Sequence, residues 1–252
     1  GLSISKGCHH FDLVNWWLDD VPEEVFAFGG LNYFGKDGAL RPRVAKGKPL
    51  SPAEEKRRCP VFRKHYADKY DPAGNAIGTG WDKDFTLPYD QQYPPEERRY
   101  IYEDEIAIED SYSVAVRYRS GATMSYACNF CTPWEGYILG INGSKGRAEI
   151  VHRSDPDPTG KTNPASDGGL ITFYPLFGGK ELINIPAVPG GHGGADFAIQ
   201  NDLFLRESAE SKKLQLLADS EAGAYAVATG EAVWRSVKSR RPVNIAKLLG
   251  RK

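Results

Sequence analysis

The chain has 252 residues, with 32 Lys and Arg against 33 Asp and Glu, and a formal net charge of −1. This balance argues against a nucleic-acid partner, and an apolar content of 40% is enough to build a sizeable core. No apolar run approaches the roughly 18 residues of a membrane helix, so we expect no membrane contact. No export signal is visible, although a removed one would leave no trace, and we expect a cytoplasmic protein.

The start of the chain indicates that it is part of a longer protein. The only methionine is Met124, and the sequence opens on Gly1 and Leu2, already at the threshold of a helix. A complete, unprocessed gene product would begin with Met. We therefore expect an incomplete fragment cut near a domain boundary, and we interpret residues 1–252 as a single domain.

The segment that organises the chain covers residues 5–18, with the sequence SKGCHHFDLVNWWL. Its apolar residues predict a helix, on which His9 and Asp12 share one face and His10 points elsewhere. We expect Leu13, Trp16 and Trp17 to fix this helix in the core and so to fix the direction of the His9 ring, as proton transfer requires. An alternative stays open, in which both histidines only hydrogen-bond to backbone carbonyls at a helix start.

The middle of the chain predicts antiparallel hairpins. Residues 24–28 read as a strand, and about 35–97 form an irregular insertion with a short helix at 52–58. Alternating residues then predict hairpins over 106–130, over 137–151 around 142–146, and over 170–185. Strands joined by short turns imply an open, predominantly antiparallel sheet with helices on one face, which is an α+β fold.

The last third carries a second candidate site and two helices. Four glycines surround His192, and Ala195 and Asp196 start a helix that continues through 197–206. Glycine lets the backbone approach a ligand or adopt positive φ, although a flexible turn with an exposed histidine remains the alternative. The chain holds no Gly-x-Gly-x-x-Gly fingerprint. A long helix begins at Asp219 or Ser220 and carries a stripe of small residues suited to close packing.

Metal chemistry is poorly supported. Cys128 and Cys131 have zinc-knuckle spacing, but no second pair exists, and in a strand an offset of three places the thiols on opposite faces. Hydrolysis by a metal on His9, His10 and Asp12 is weak, because neighbouring helical side chains diverge by about 100°. We expect no metal site, and we expect reduced thiols.

These pieces resemble the Gfo/Idh/MocA oxidoreductases. Residues 6–13 are similar to the catalytic helix of that family, in which a His is followed three residues later by Asp. Four further pieces follow in the expected order: strand 25–29, residues 143–149, residues 191–196, and residues 230–243. The resemblance spans nearly the whole chain, but only as the C-terminal α/β domain of the family. The N-terminal Rossmann domain is absent.

The resemblance implies hydride transfer between NAD or NADP and a carbon–hydroxyl group of a sugar, cyclitol or related polyol. His9 would be the acid/base. Ser5 stands where many members carry Asp, so either Lys6 shares the proton transfer or the family pattern has drifted here. The remaining implied substrate-binding residues are Ser5, His10, Asp12, His192 and Asp196. The cofactor would be bound mainly by the missing domain, so no residue here is assigned to it, and the fragment alone should be inactive and bind NAD(P) weakly.

The family resemblance also implies a homo-oligomer formed through the open sheet face. The aromatic alternation of residues 112–118 suits such an interface, because an uncovered apolar face is an interaction surface. The alternative function is a catalytically inert dimerisation scaffold of the same fold, which the replacement of Asp by Ser5 mildly favours.

Overall fold

The computed structural model describes residues 1–43, 50–59, 101–132, 135–154, 168–186, 188–189 and 191–251. The chain divides into two compact units, which are described separately below. The first unit comprises Gly1–Phe130 and Ala224–Lys252, and the second comprises Cys131–Gly223. Each holds an antiparallel four-stranded sheet and helices, so the predicted α+β class is confirmed.

The first unit is built on a sheet with the strand order β3-β2-β1-β8. Its strands are β1 (Pro22–Gly30), β2 (Ser111–Tyr118), β3 (Thr123–Asn129) and the short β8 (Val243–Asn244). Its helices are α1 (Leu2–Ser5), α2 (Gly7–Leu18), α3 (Pro52–Arg58), α6 (Ser220–Ser239), which begins in the second unit, and α7 (Ile245–Leu248). The predicted strand at 24–28, the hairpin over 106–130 and the short helix at 52–58 are thus all present, although the hairpin strands begin at Ser111.

The helices cover one face of this sheet, and the sequence interpretation assigned that face wrongly. Tyr112, Val114, Val116 and Tyr118 are all buried, in one cluster with residues of α2 and α6. The alternation was predicted correctly, but we expected the side of the sheet that carries these residues to be uncovered and to bind another subunit. Helices of the same chain occupy it instead, and small or charged residues such as Ser113, Ala115 and Arg117 face outward.

Helix α2 also buries a different side from the one expected. Phe11 is 1% exposed and packs in the core with Val14 and Leu18. In contrast, Leu13 is 38% exposed and Trp16 is 40% exposed. Two apolar sets share this helix, and spacings of three and four connect Phe11, Val14 and Leu18 as well as Leu13 and Trp16. The set that includes Phe11 meets the sheet.

Helix α6 holds α1 in place through a close contact at Gly230. A Cβ atom added at Gly230 would lie 2.4 Å from the backbone oxygen of Ser3 and 2.9 Å from the Cα of Ile4. Only glycine leaves room for this approach, as expected for the predicted stripe of small residues. The cap of α6 is also as predicted, since the Asp219 carboxylate accepts a 2.8 Å hydrogen bond from the backbone N–H of Ala222.

The predicted insertion at about 35–97 falls largely on residues 44–49 and 60–100, which lie outside the described residues. Its two ends meet in a segment that we call the insertion root, residues 30–43 and 101–110. There the Gly35 N–H donates to the Ile101 carbonyl at 2.8 Å. Arg41 bridges Glu55 at 2.7 Å and Asp104 at 3.1 Å. The buried Asp110 carboxylate accepts backbone N–H groups from Asn32, Tyr33 and Phe34.

The second unit is a meander with the strand order β4-β5-β6-β7. Its elements are β4 (Glu135–Gly143), β5 (Gly146–Ser154), β6 (Gly168–Pro175), β7 (Glu181–Pro186), a 3-10 turn (Gly191–Gly194), α4 (Ala195–Phe204) and α5 (Ala209–Leu214). The two predicted hairpins are present. The turn between β4 and β5 consists of Ser144 and Lys145, because Gly143 still pairs with Gly146 in the ladder. Among the described helices, none has both the length and the apolar character needed to cross a bilayer.

Candidate functional site

The predicted catalytic residues lie around the junction of α1 and α2. Lys6 separates the two helices, with φ −121° and ψ −42°, and both Ser5 and Lys6 are exposed. His9 lies in the first turn of α2 and is exposed, and Asp12 follows three residues later and is half-buried. No side-chain hydrogen bond or ion pair joins His9 or Asp12 to another residue in the described part of the chain. The His9 ring and the Asp12 carboxylate are therefore both available to a ligand.

The backbone that carries these side chains is anchored on two sides. Phe11 packs edge-on against Tyr126 with the ring centroids 5.2 Å apart, and α1 lies against Gly230. Positions of the helix three and four apart lie on the same side, so His9 shares the side with Asp12, Leu13 and Trp16. That side is opposite to buried Phe11. The site consequently combines a proton-transfer group, a carboxylate and apolar surface on a fixed helix.

His10 has a partner that the sequence interpretation did not identify. Its Nδ1 lies 2.8 Å from the Tyr126 hydroxyl, and the two rings are tilted by 54° with centroids 5.8 Å apart. Burial and the charge of His9 lower the pKa of His10. Burial, together with Cys128 and Tyr112, raises the pKa of Tyr126. The alternation of β3 could have indicated this contact. Tyr126 pairs with buried Val114 of β2, so its side chain lies on the face of the sheet that the helices cover.

His192 and Asp196 are brought together in the second unit. The His192 Nδ1 lies 2.9 Å from Asp196 Oδ1, with side chains 85% and 48% exposed. His192 itself adopts φ +50°, and Gly194, which caps α4, has φ +82°. Gly194 thus supplies one of the two positive φ angles of this turn and His192 the other, and α4 begins at Ala195 as expected. That His192 and Asp196 share a cleft with His9 stays a prediction.

The described residues give no sign of a metal centre. Within them, no group of three or more His, Cys, Asp or Glu side chains is arranged to hold an ion. No disulfide joins Cys8, Cys59, Cys128 and Cys131.

A shallow groove of about 730 Å³ lies at the end of α6, and none of the predicted site residues lines it. Two of its cations already have carboxylate partners. Arg235 pairs with Glu231 at 2.7 Å, and Lys238 pairs with Glu109 at 2.6 Å. The groove is therefore a poor candidate for the site, and α2 remains the stronger one.

Comparison with known proteins identifies the family of the chain. The family described as "Oxidoreductase family, C-terminal alpha/beta domain" matches residues 1–245. YteT of Bacillus subtilis (strain 168), which is named as an oxidoreductase, is 40% identical over 255 residues, covering 98% of this chain and 56% of YteT. The chain thus spans little more than half the length of this relative.

Solved structures resemble the chain at the level of the fold. A protein from Desulfitobacterium hafniense DCB-2, described as an NADPH-dependent oxidoreductase, matches with a TM-score of 0.51 and 12% identity, covering 97% of this chain and 48% of that one. An aldose-aldose oxidoreductase from Caulobacter crescentus matches with a TM-score of 0.47 and 15% identity, over 94% of this chain and 45% of that one. The match to residues 1–245 and the 40% identity to YteT place this chain in the Gfo/Idh/MocA oxidoreductase family, as its C-terminal alpha/beta domain.

Proposed function

We propose that the chain is the substrate-binding and acid/base part of an NAD(P)-dependent oxidoreductase that acts on a CH–OH group of a sugar, cyclitol or related polyol. The observation that carries this proposal is the position of the His9 ring. Its ring stands exposed on a firmly anchored helix, beside a carboxylate and apolar side chains, in a chain of an oxidoreductase family. An imidazole is the side chain best suited to exchange a proton near neutral pH.

In the proposed oxidation, the ring of His9 takes the proton of the substrate hydroxyl as the carbon–oxygen double bond forms. The same carbon loses its hydrogen together with the bonding electron pair, and NAD(P)⁺, when bound, would supply the acceptor for that hydride. In the reverse direction His9 returns the proton. We assign none of the residues of this chain to hold the cofactor, since the chain has no dinucleotide fingerprint. Beside such a cofactor, their role would be to exchange the proton of the substrate.

The other residues around α2 would bind and orient the substrate. Asp12 shares the side of the helix with His9, so its carboxylate can accept a hydrogen bond from a second hydroxyl. Ser5 can orient a hydroxyl group but carries no charge. Lys6 is exposed at the helix junction, where its ammonium would favour an oxygen that gains negative charge and so assist the proton transfer. We also assign substrate contacts to His192 and Asp196, whose hydrogen bond fixes the imidazole.

We further propose that the protein self-associates through the outward face of the first-unit sheet. Ser113, Ala115 and Ala127 are exposed on this face. Phe28, which pairs with Ser113, is 66% exposed on the same face and packs edge-on against Phe26. A monomeric mass by light scattering at micromolar concentration would contradict this proposal, and so would an oligomer that the substitution Ala115→Arg leaves intact.

The central test uses the chain joined to its native upstream segment. Hydride exchange would be followed by absorbance of the reduced cofactor over a panel of sugars and polyols. We expect His9→Ala to lower kcat by about 100-fold or more, the usual contribution of a general acid/base. The matched control is His152→Ala, which removes a histidine stacked on Tyr137 in the second unit and should retain full activity.

Each result of this test separates the hypotheses. Unchanged activity in His9→Ala would mean that His9 is structural and would refute the assigned role. No activity in the wild type over the whole panel would instead support the scaffold hypothesis.

A further inference from the structure

We propose that Tyr126 is a positioning residue. Its hydroxyl holds His10 as a neutral imidazole with the proton on Nε2, so that His10 presents one fixed N–H donor to an acceptor oxygen of the substrate. The inference rests on the proposed function for the identity of the ligand. The part of the inference that concerns the tautomer of His10 does not depend on the proposed function.

The Tyr126 hydroxyl is held in place independently of His10. Tyr126 belongs to β3, and its ring packs against Phe11 with centroids 5.2 Å apart and an interplanar angle of 61°. Phe11 is in turn a core residue of α2. The strand and the helix therefore fix the distance between the hydroxyl and the imidazole, and the 2.8 Å contact with Nδ1 is a consequence of the fold rather than a chance surface contact.

The direction of this hydrogen bond follows from the chemistry of the two groups. A neutral imidazole has one donor and one acceptor nitrogen, and the bond made by one nitrogen decides the state of the other. If the hydroxyl donates to Nδ1, the phenol O–H, which is the stronger donor of the two groups, bonds to the imidazole nitrogen, which is the stronger acceptor. In the opposite arrangement the phenol proton would turn to Cys128, whose sulfur accepts hydrogen bonds weakly. The first arrangement is favoured, and it places the proton on Nε2.

The protonation states agree with this arrangement. The titratable neighbours of the pair are His9 on α2, Cys128 on β3 and Tyr112 on β2. Burial and the His9 charge lower the pKa of His10 below its usual 6.5, so the ring is neutral at pH 7. Burial and the nearby Cys128 raise the pKa of Tyr126, so its hydroxyl keeps the proton.

The remaining nitrogen of His10 points to a specific use. Its Nε2 makes no hydrogen bond within the described part of the chain, and the residue is exposed. Neighbouring side chains on a helix diverge by about 100°, but the His10 ring lies near enough to His9 for the charge of His9 to lower its pKa. A donor fixed in this way can bind the lone pair of a substrate oxygen while His9 exchanges the proton of another. A site built to hydrogen-bond a hydroxyl strongly disfavours the analogue that lacks it. His10 would thus select for a substrate that carries an oxygen at one particular carbon.

The first experiment reads the tautomer directly, by nitrogen-15 spectroscopy of the histidine-labelled 252-residue chain, with His10→Gln for assignment. We expect His10 to carry its proton on Nε2. In Tyr126→Phe, which keeps the packing ring, we expect a mixture of tautomers and a higher His10 pKa, because the neutral ring loses the hydroxyl that donates to it. The matched control is Tyr137→Phe, which removes a hydroxyl beside His152 and should leave His10 unchanged. A proton on Nδ1, or identical His10 spectra in both variants, would overturn the proposal.

The second experiment measures the role in binding, with the chain joined to its upstream segment. We expect Tyr126→Phe to raise KM by about fivefold with kcat changed less than twofold, because only orientation is lost. His10→Gln, which retains an N–H donor, should keep more of the affinity than His10→Leu.

The kinetic results decide the substrate half of the proposal. A fall in kcat at constant KM, or no change in either constant, would overturn it. A wild-type enzyme inactive on every substrate would remove the proposed function and this half together. The tautomer measured in the first experiment would still stand, so the two failures can be distinguished.

Discussion

Gly230 offers the sharpest test of how the candidate site is held in place. A methyl group added there would lie 2.4 Å from the Ser3 carbonyl oxygen and 2.9 Å from the Ile4 Cα. Both atoms belong to the backbone, so no side-chain rotation can relieve the clash, and α1 must move away from α6. Because α1 leads through Lys6 into α2, the displacement reaches the helix turn that carries His9.

Two opposing effects set the magnitude for Gly230→Ala. Alanine inside a helix is more favourable than glycine by about 1 kcal/mol. Overpacking a close contact costs about 1–3 kcal/mol, and a clash with backbone belongs at the upper end of that range. We therefore expect a net loss of about 2 kcal/mol in the free energy of unfolding. The matched control is Gly223→Ala in the same helix, where nothing lies within 4 Å and a gain of up to about 1 kcal/mol follows.

Urea unfolding followed by circular dichroism would give both values, and kcat of the protein joined to its upstream segment would show whether the displacement reaches His9. We expect Gly230→Ala to lose both stability and activity while Gly223→Ala loses neither. Equal stabilisation by the two substitutions would refute the reasoning, since it would show that α1 does not pack on α6 as described.

Four further predictions concern stability and cofactor binding. Asp110→Ala should lower the free energy of unfolding by about 2–4 kcal/mol, because three backbone N–H groups lose the buried carboxylate that accepts from them. Asp104→Ala, at a side chain 75% exposed, should change it by less than about 0.5 kcal/mol, and urea unfolding compares the two variants. Replacing residues 60–100 by a short Gly-Ser linker should leave a folded protein by circular dichroism, because Cys59 and Ile101, which the linker would join, pack with Tyr102 in one small cluster. Loss of the cooperative transition would contradict this. Burial and Glu109 raise the pKa of Tyr112 to about 12, so the folded state retains this proton and stability should fall as pH rises from about 10 to 12. Tyr112→Phe should make that decline shallower in unfolding curves, and an unchanged slope would argue against it. Calorimetric titration of NAD or NADP into this chain alone should give no micromolar binding, and a micromolar Kd would show that the chain holds the cofactor itself.

Periodicity in the sequence was sufficient to locate the described hairpins and the longer helices, but not the short helices α5 and α7. The hairpins, the cap at Asp219 and the helix beginning at Ala195 follow from local rules of alternation, turn and capping. The turn at Ser144 and Lys145 lies at the centre of the predicted range 142–146, because Gly143 and Gly146 on either side of it still pair in the ladder.

The same periodicity could not decide which face is covered. Alternation shows that residues 112–118 of one parity share a side, but whether helices of this chain or another subunit cover that side depends on contacts far apart in sequence. The two apolar sets on α2 pose the same problem, and the set containing Phe11 was chosen by the sheet it meets. Tyr126 escaped notice for this reason, because its role exists only once β3 and α2 are neighbours.

The closed insertion root has a consequence for how this protein can change over evolution. Its two strands of chain meet through the 2.8 Å hydrogen bond between Gly35 and Ile101, and Arg41 ties them to Glu55 and Asp104. Once the ends of a segment are held together, each doubling of its length costs only about 0.6 kcal/mol in closure entropy. Insertions between residues 59 and 101 should therefore destabilise the pairing of β1 with β2 only slightly. Selection can lengthen, shorten or rewrite that stretch for a new substrate or partner while the helix bearing His9 stays under separate constraint.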